Sequence, residues 1–196
     1  MAEAGLAVAT RLMLVSRALD RLTTLEDRLC REIDQSGKLD HLLAGGYVYT
    51  PEDSNSVYDV CLAIDGVLAE CLSLMEVIKI FTVRFCRKIL KIKMSEEAFD
   101  ARLVELGYGG EWLDTLTKAR NFFLHESAPW LVLQIEGRDP LICTLIVLKG
   151  NVRDLSDPTT FITKRALAGI TRELRQAVWG VQQWLSEAIS KAEQSE

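Results

Sequence analysis

The sequence predicts a mainly α-helical protein, an up-and-down bundle of four to five helices with a small β-hairpin between the last two. Three observations predict this fold class. Apolar residues recur at helical spacing over long stretches, two late runs are rich in β-branched residues, and turn formers bound the segments. The chain has 196 residues, 48% of them hydrophobic. That is enough for a sizeable core, and we expect a single domain over residues 1–196.

The first helix is predicted from Ala4 to Ile33. Its apolar residues recur about every 3.5 positions, the spacing of a helix packed lengthwise on another. They are Val8, Leu12, Val15, Leu19, Leu22 and Leu29. Only Glu26 breaks this stripe. Gly37 follows the predicted end, where glycine commonly terminates a helix.

A loop and a long apolar helix are predicted next. Residues Leu42 to Ser56 contain Gly-Gly, Pro and clustered Asp, Asn and Ser, all turn formers. The segment from Val57 to Ile92 then carries apolar residues on several helical faces, so we expect it to lie centrally. Charged residues interrupt this segment, whereas a membrane span needs about 20 nearly uncharged residues. We therefore expect a buried helix and no membrane association.

Two shorter helices follow the central one. Ser95 is the predicted N-cap of a helix from Glu96 to Leu106, which Gly107 ends. A further helix is predicted from Glu111 to about Glu126 and is closed by Pro129.

The β-hairpin is predicted at about residues 130–149. Its strands are Trp130 to Glu136 and Leu141 to Lys149, joined by a Gly-Arg-Asp-Pro turn. A lone hairpin is marginal in water, so it must pack on the bundle or on a partner. After a loop from Asn151 to Pro158, the last helix is predicted to begin with an Asp-Pro start and to reach about Lys191.

Composition restricts the classes of function. The net charge of −5 argues against a protein coated in nucleic acid, but it leaves room for one basic patch. Five cysteines without a C-x-x-C pair predict neither a disulfide framework nor a zinc site. The chain has two histidines and no nucleotide-binding or metalloprotease motif, so we expect no metal and no cofactor. With no signal peptide recognised, cytoplasmic localisation is the simplest expectation.

One short segment combines side chains that carry chemistry. It reads Arg120-Asn121-Phe122-Phe123-Leu124-His125, near the end of a predicted helix. Asn121 and His125 are four residues apart and therefore share nearly one helical face. The long side chain of Arg120 can reach the same space. Phe123 continues the apolar stripe that Trp112, Leu116 and Ala119 form on this helix.

This segment resembles the characteristic motif of the HEPN superfamily, an Arg followed after four to six residues by His, often with Asn after the Arg. Arg120, Asn121 and His125 match that motif, and the resemblance covers roughly residues 1–127 and the final helix. It implies a HEPN-like bundle and a homodimer in which two motifs face one cleft. It also implies a metal-independent endoribonuclease of the toxin or defence type, with an antitoxin or a nucleotidyltransferase as partner. Two features depart from the pattern: the β-hairpin, and Ser127 at a position where such toxins often carry Tyr.

The residues suit RNA cleavage, although other interpretations stay open. Histidine titrates near neutral pH and can move protons, and arginine binds phosphate through two parallel hydrogen bonds. In this interpretation Asn121 orients the imidazole or the phosphate. In the structural alternative, Arg120 caps carbonyl groups, and His125 hydrogen-bonds to unpaired backbone groups at the end of the helix. Two further alternatives are a catalytically silent module that binds RNA, a nucleotide or a protein, and a purely structural helical dimer.

A basic stripe is predicted at the end of the central helix. Arg84, Arg87, Lys88 and Lys91 follow the i, i+3, i+4, i+7 pattern of one helical face, and Lys93 lies just beyond. Such a stripe is suited to an RNA backbone. The alternative is a solvated surface whose cations favour the helix C-terminus.

The remaining histidine and the tryptophans carry weaker expectations. His41 is interpreted as an ordinary surface or interface residue. Trp112 and Trp184 fit a core at helical spacing, whereas Trp130 is placed to line a cleft beside the motif. The apolar stripe from Val57 to Ile92 is wider than one amphipathic face requires, which favours a homodimer.

Overall fold

The computed structural model describes residues 2–45, 48–51, 53–109, 111–125, 130–138, 141–148, 156 and 160–194. Within these ranges the chain is mainly helical. The helices are α1 (Ala2–Gln35), α2 (Leu39–Gly45), α3 (Ser54–Lys88), α4 (Glu96–Glu105), α5 (Glu111–His125) and α6 (Lys164–Glu193). The strands are β1 (Val48–Tyr49), β2 (Trp130–Arg138), β3 (Leu141–Leu148) and β4 (Phe161–Thr163). The predicted mainly α class is confirmed, with more helices and strands than expected.

The chain divides into two compact units. The first comprises Met1–Ser16, Ala69–Leu116 and Ile170–Glu196. The second comprises Arg17–Leu68 and Thr117–Gly169. The whole of α4 belongs to the first unit, and all four strands belong to the second.

The long helices bury the stripes that the sequence predicts. In α1, Val8, Val15, Leu22 and Leu29 are buried at intervals of one heptad. In α3 the buried positions recur at helical spacing and include Val60, Ile64, Val67, Cys71, Met75 and Ile78. The periodicity therefore places the inward faces of both helices correctly.

Helix α4 begins at Glu96 as predicted and ends at Glu105, one residue before the predicted end. The Ser95 hydroxyl accepts a hydrogen bond from the Ala98 amide at 3.2 Å, as an N-cap should. At the other end Gly107 has φ of +81°, a conformation that glycine adopts without steric cost. Phe99 and Leu103 are the buried residues of this helix.

The predicted loop from Leu42 to Ser56 is wrong in part. Its first residues continue helix α2, and Val48 and Tyr49 form β1, which pairs with β2. The turn-forming composition misled the prediction, because pairing with a partner strand overrides the local preference.

Helix α3 begins at Ser54 with an acidic cap. The Asp53 carboxylate accepts hydrogen bonds from the amides of Asn55 at 3.1 Å and Ser56 at 3.0 Å. Since these bonds favour the charged carboxylate, they hold the pKa of Asp53 below its usual value.

The predicted hairpin is confirmed and belongs to a larger sheet, but Gly137 and Arg138 of the predicted turn belong to strand β2. Strands β2 and β3 pair antiparallel from Trp130 opposite Leu148 to Arg138 opposite Leu141. The strand order is β1-β2-β3-β4, and every pair is antiparallel. Four successive residues of β3, 145–148, are buried, so both faces of the sheet are covered at that point.

The last helix begins later than predicted. Phe161–Thr163 form β4 against β3, and α6 starts at Lys164. The Thr163 hydroxyl accepts a hydrogen bond from the Ala166 amide at 3.0 Å and so acts as the N-cap. The predicted Asp-Pro start and most of the predicted loop at 151–158 lie outside the described residues.

In the described ranges, no helix combines the length and the apolar character needed to cross a membrane.

Candidate functional site

Helix α5 carries the Arg-Asn-x-x-x-His segment, and its inward face is apolar as predicted. Leu116 and Ala119 are buried. Near its start the Trp112 indole donates a hydrogen bond to the Tyr108 carbonyl at 2.8 Å. These contacts fix the rotation of the helix, and Arg120 and Asn121 follow directly on its outward side.

Arg120 and Asn121 are both exposed on α5. Neither side chain makes a hydrogen bond or an ion pair with another described residue. An exposed guanidinium can bind a phosphate or a carboxylate through two parallel hydrogen bonds. The structural alternative, in which Arg120 caps carbonyl groups, finds no supporting contact among the described residues.

His125 is the last residue of α5, one helical turn after Asn121. Its side chain lies outside the described part of the structure, as do those of Phe122, Phe123 and Leu124. The structure thus places the backbone of the motif on the final turns of one helix, and the proton-transfer role of His125 remains a prediction.

The basic stripe lies at the end of α3, in the first unit. Arg84, Arg87, Lys88 and Lys91 are exposed, as predicted, and so is Lys93. Arg84, Arg87 and Lys88 form no ion pair with a described carboxylate. Three neighbouring apolar residues are also largely exposed: Ile80 at 41%, Ile89 at 49% and Ile92 at 49%.

Lys91 departs from the simple stripe. Its φ is +57°, in the left-handed region that side-chain-bearing residues rarely adopt. Its ammonium donates a hydrogen bond to the Lys88 carbonyl at 2.8 Å, and the Ile92 amide donates to the Cys86 carbonyl at 2.9 Å. Helix α3 ends at Lys88, so Lys91 lies in the turn beyond the helix rather than on its face. Its ammonium binds a carbonyl at the helix end, which favours the solvated-surface interpretation for this residue.

The structure places the tryptophans and His41 in varied surroundings. Trp112 and Trp184 are half-buried, and the Arg102 guanidinium lies over the Trp184 ring at 5.1 Å. Trp130 is 56% exposed at the start of β2, and its cleft-lining role stays a prediction. His41 is exposed on α2, in agreement with a surface role.

One polar cluster in the second unit was not predicted as a site. Glu26 is 8% exposed, and its carboxylate accepts a hydrogen bond from the Leu145 amide at 2.9 Å. The same carboxylate forms an ion pair with Lys164. Because β4 pairs only with 146–148, Glu26 satisfies an amide of β3 that lies just beyond the end of β4. The break in the apolar stripe of α1 was the one sequence signal for this contact.

An open cavity lies in the first unit, where Met13 of α1 and Trp179 of α6 are 58% and 59% exposed. Its volume is about 310 Å³. Arg175 and Ser16 both line this cavity, and the Arg175 guanidinium donates a hydrogen bond to the Ser16 hydroxyl at 2.6 Å. The lining is mostly apolar, so this cavity provides few polar groups for binding or chemistry.

Among the described residues, no three His, Cys, Asp or Glu side chains are grouped so as to hold a metal ion. Comparisons with family models, curated proteins and solved structures find no match to this chain.

Proposed function

We propose that this protein is a HEPN-like, metal-independent endoribonuclease of the toxin or defence type, acting as a homodimer in the cytoplasm. Arg120, Asn121 and His125 are the proposed catalytic residues. An antitoxin or a nucleotidyltransferase is the proposed class of protein partner. The observation that carries the proposal is the exposed Arg120–Asn121 pair on a helix whose last residue is His125.

The exposure of Arg120 and Asn121 supports a binding role, because no contact among the described residues gives either side chain a structural role. A long cationic side chain and an amide stand side by side, and both lack described partners. Trp130, exposed five residues after the motif, provides an aromatic surface on which an unpaired base can stack. Guanidinium, amide and aromatic ring together fit single-stranded RNA.

The proposed reaction needs two proton transfers at one phosphodiester. A base removes the proton of the 2′-hydroxyl, the 2′-oxygen attacks phosphorus, and the bond from phosphorus to the 5′-oxygen breaks. An acid protonates the leaving oxygen, and the product ends in a 2′,3′-cyclic phosphate. His125 from each copy of the chain supplies the base and the acid. Arg120 stabilises the charge that develops on the phosphoryl oxygens, and Asn121 orients the phosphate or the imidazole.

The decisive experiment incubates the purified full chain with a pool of single-stranded RNAs in the presence of a chelator. We expect cleavage that leaves 2′,3′-cyclic phosphate ends. His125→Ala should lower the rate by about 10²–10⁴-fold, the usual contribution of a positioned acid or base. Arg120→Ala should cause a comparable loss, and Arg120→Lys should restore little, because an ammonium does not reproduce the planar fork.

Two matched variants control for unspecific effects. His41→Ala removes the other histidine of the chain from an exposed position, and Lys118→Ala removes an exposed cation from α5 outside the motif. Both should cleave RNA at the wild-type rate. Absence of cleavage by the wild type, or equal rates for His125→Ala and His41→Ala, would refute the enzymatic proposal.

A second candidate function is RNA binding without catalysis. The specific observation in its favour is the exposed cation group at the end of α3, where Arg84, Arg87 and Lys88 lack described acidic partners. Their joint replacement by Glu should weaken RNA binding and flatten its dependence on salt concentration. An unchanged affinity and slope in the folded variant would show that the group is only a solvated surface.

A further inference from the structure

Two cysteines that are more than half of the chain length apart meet in the second unit. Cys30 lies near the end of α1, and Cys143 lies on β3. Both are half-buried, and neither forms a disulfide. This pair plays no part in the proposed RNA chemistry.

Both thiols line one cavity of about 540 Å³. Charged side chains of α1, Asp27 and Arg31 among them, form one side, and Leu141 and Ile142 form part of the other. A small reagent can therefore approach the sulfurs, because the thiols are half-buried at a cavity rather than enclosed in the core.

The local structure fixes the two thiols relative to each other. Glu26 precedes Cys30 by one helical turn, and it holds the amide of Leu145, two residues after Cys143, at 2.9 Å. Glu26 also lines the cavity that the two thiols share. The hydrogen bond of Glu26 thus holds α1 and β3 together directly beside the thiol pair.

We propose that Cys30 and Cys143 form a thiol modification site, which closes to an intramolecular disulfide on reaction with a low-molecular-weight disulfide such as oxidised glutathione. One protein thiolate attacks a sulfur of the small disulfide, and one small thiol leaves. The second protein thiolate then attacks the mixed disulfide, and the second small thiol leaves. The two protein thiols are oxidised, the small disulfide is reduced to two thiols, and the two protons pass to those products.

The surroundings of Cys30 make this reaction slow at neutral pH. The hydrogen bond with Cys143, the burial and the nearby carboxylates of Glu26 and Asp27 all raise the pKa of the Cys30 thiol. Few Cys30 thiolates are then present at pH 7, and their fraction grows as the pH rises. The pair remains reduced unless the oxidant is abundant, and oxidation accelerates in alkaline solution.

The other cysteines provide internal controls. Cys71 and Cys86 are buried, and burial raises the pKa of the Cys71 thiol to about 12. Cys61 is half-buried like the pair, and desolvation raises the pKa of its thiol. We therefore expect Cys71 and Cys86 to stay unmodified, and Cys61 to measure the reactivity of an isolated half-buried thiol.

The test oxidises the reduced full chain with oxidised glutathione at about pH 8.5, near the pKa of an ordinary thiol. Remaining thiols are then alkylated in denaturant, and the digested protein is mapped by mass spectrometry. We expect a peptide pair that joins Cys30 to Cys143 and that disappears on reduction. Because the disulfide closes a long loop, the melting temperature of the oxidised protein should rise by about 5–15 °C.

Single substitutions identify the site. Cys61→Ser should retain the cross-link and the rise in melting temperature, whereas Cys30→Ser and Cys143→Ser should lose both. Cys143→Ala serves as a second variant, and far-ultraviolet circular dichroism verifies that each protein is folded. The proposal is overturned if Cys30 and Cys143 end as separate glutathione adducts. It is also overturned if the disulfide joins two chains, or if only Cys61 reacts.

Discussion

At the scale of single residues, Glu26 is the clearest case of a side chain whose role depends on distant parts of the chain. The sequence shows it as a lone acid in an apolar stripe. In the fold its carboxylate binds the Leu145 amide and the Lys164 ammonium. Neither partner was predictable, because both lie more than half of the chain length away and no local pattern encodes such a contact.

Replacement of Glu26 should therefore destabilise the protein strongly. Glu26→Ala leaves the Leu145 amide and the Lys164 ammonium without their partner, and we expect a loss of about 2–4 kcal/mol. The side chains of Glu26 and Lys164 are 11% and 20% exposed, so the loss should stay below that of a fully buried pair. Urea unfolding followed by circular dichroism measures it.

Two further variants divide this loss between the two contacts. Glu26→Gln keeps an oxygen that accepts from the Leu145 amide, so it should cost less than Glu26→Ala. Lys164→Met in the Glu26→Ala background should recover part of the stability, because no unpaired ammonium remains. A loss below about 0.5 kcal/mol for Glu26→Ala would contradict the role assigned to this carboxylate.

At the scale of elements, periodicity predicts the long helices, whereas pairing with distant residues determines the secondary structure of short segments. The stripes of α1 and α3, the cap at Ser95 and the β2–β3 hairpin could all be predicted, because each is encoded by neighbouring residues. Strands β1 and β4 were missed. They have two and three residues and exist through pairing with β2 and β3, which no local pattern announces.

The same distinction applies to the candidate site. The outward position of Arg120 and Asn121 follows from the helical period of α5, and so could be predicted. The left-handed conformation of Lys91 could not, because a glycine is the usual signal for that position.

Two glycines of α6 should respond to alanine in opposite directions. A Cβ at Gly180 would lie 2.1 Å from Cε2 of Tyr108, whereas a Cβ at Gly169 meets no atom within 4 Å. Gly169→Ala should stabilise the protein by about 0.5–1 kcal/mol, the usual gain in a helix. Gly180→Ala should destabilise it by about 1–2 kcal/mol, because the Tyr108 ring must move.

Denaturant unfolding of the two variants beside the wild type measures both effects in one series. Because the helix and the substitution are the same, the difference reports the contact with Tyr108 rather than helix propensity. Equal changes in the free energy of unfolding of the two variants would show that the Tyr108 ring moves without an energetic penalty. The close approach of Tyr108 to α6 would then make no contribution to stability.

At the scale of the whole molecule, the structure alters the reasons for expecting a homodimer. Two features of the sequence favoured a partner: the uncovered hairpin and the wide apolar stripe of the central helix. The first no longer holds, because residues 145–148 are buried within the chain. The second remains a prediction, and it directs attention to Tyr58 and Leu62, one turn apart on α3, which are 72% and 59% exposed.

We predict that the protein is a homodimer at micromolar concentration and that Leu62 contributes to its interface. Light scattering on a sizing column should give twice the chain mass of 22.0 kDa. Leu62→Glu should shift the protein to the monomer, since a charge is costly to bury in an apolar contact. Val104→Glu, at an apolar position of α4 that is 63% exposed, is the matched control and should remain dimeric. A monomeric wild type would contradict the predicted interface. It would also contradict the proposed mechanism, in which two His125 side chains, one from each copy of the chain, share the two proton transfers. Arg120 and Asn121 would then be left with a binding role alone.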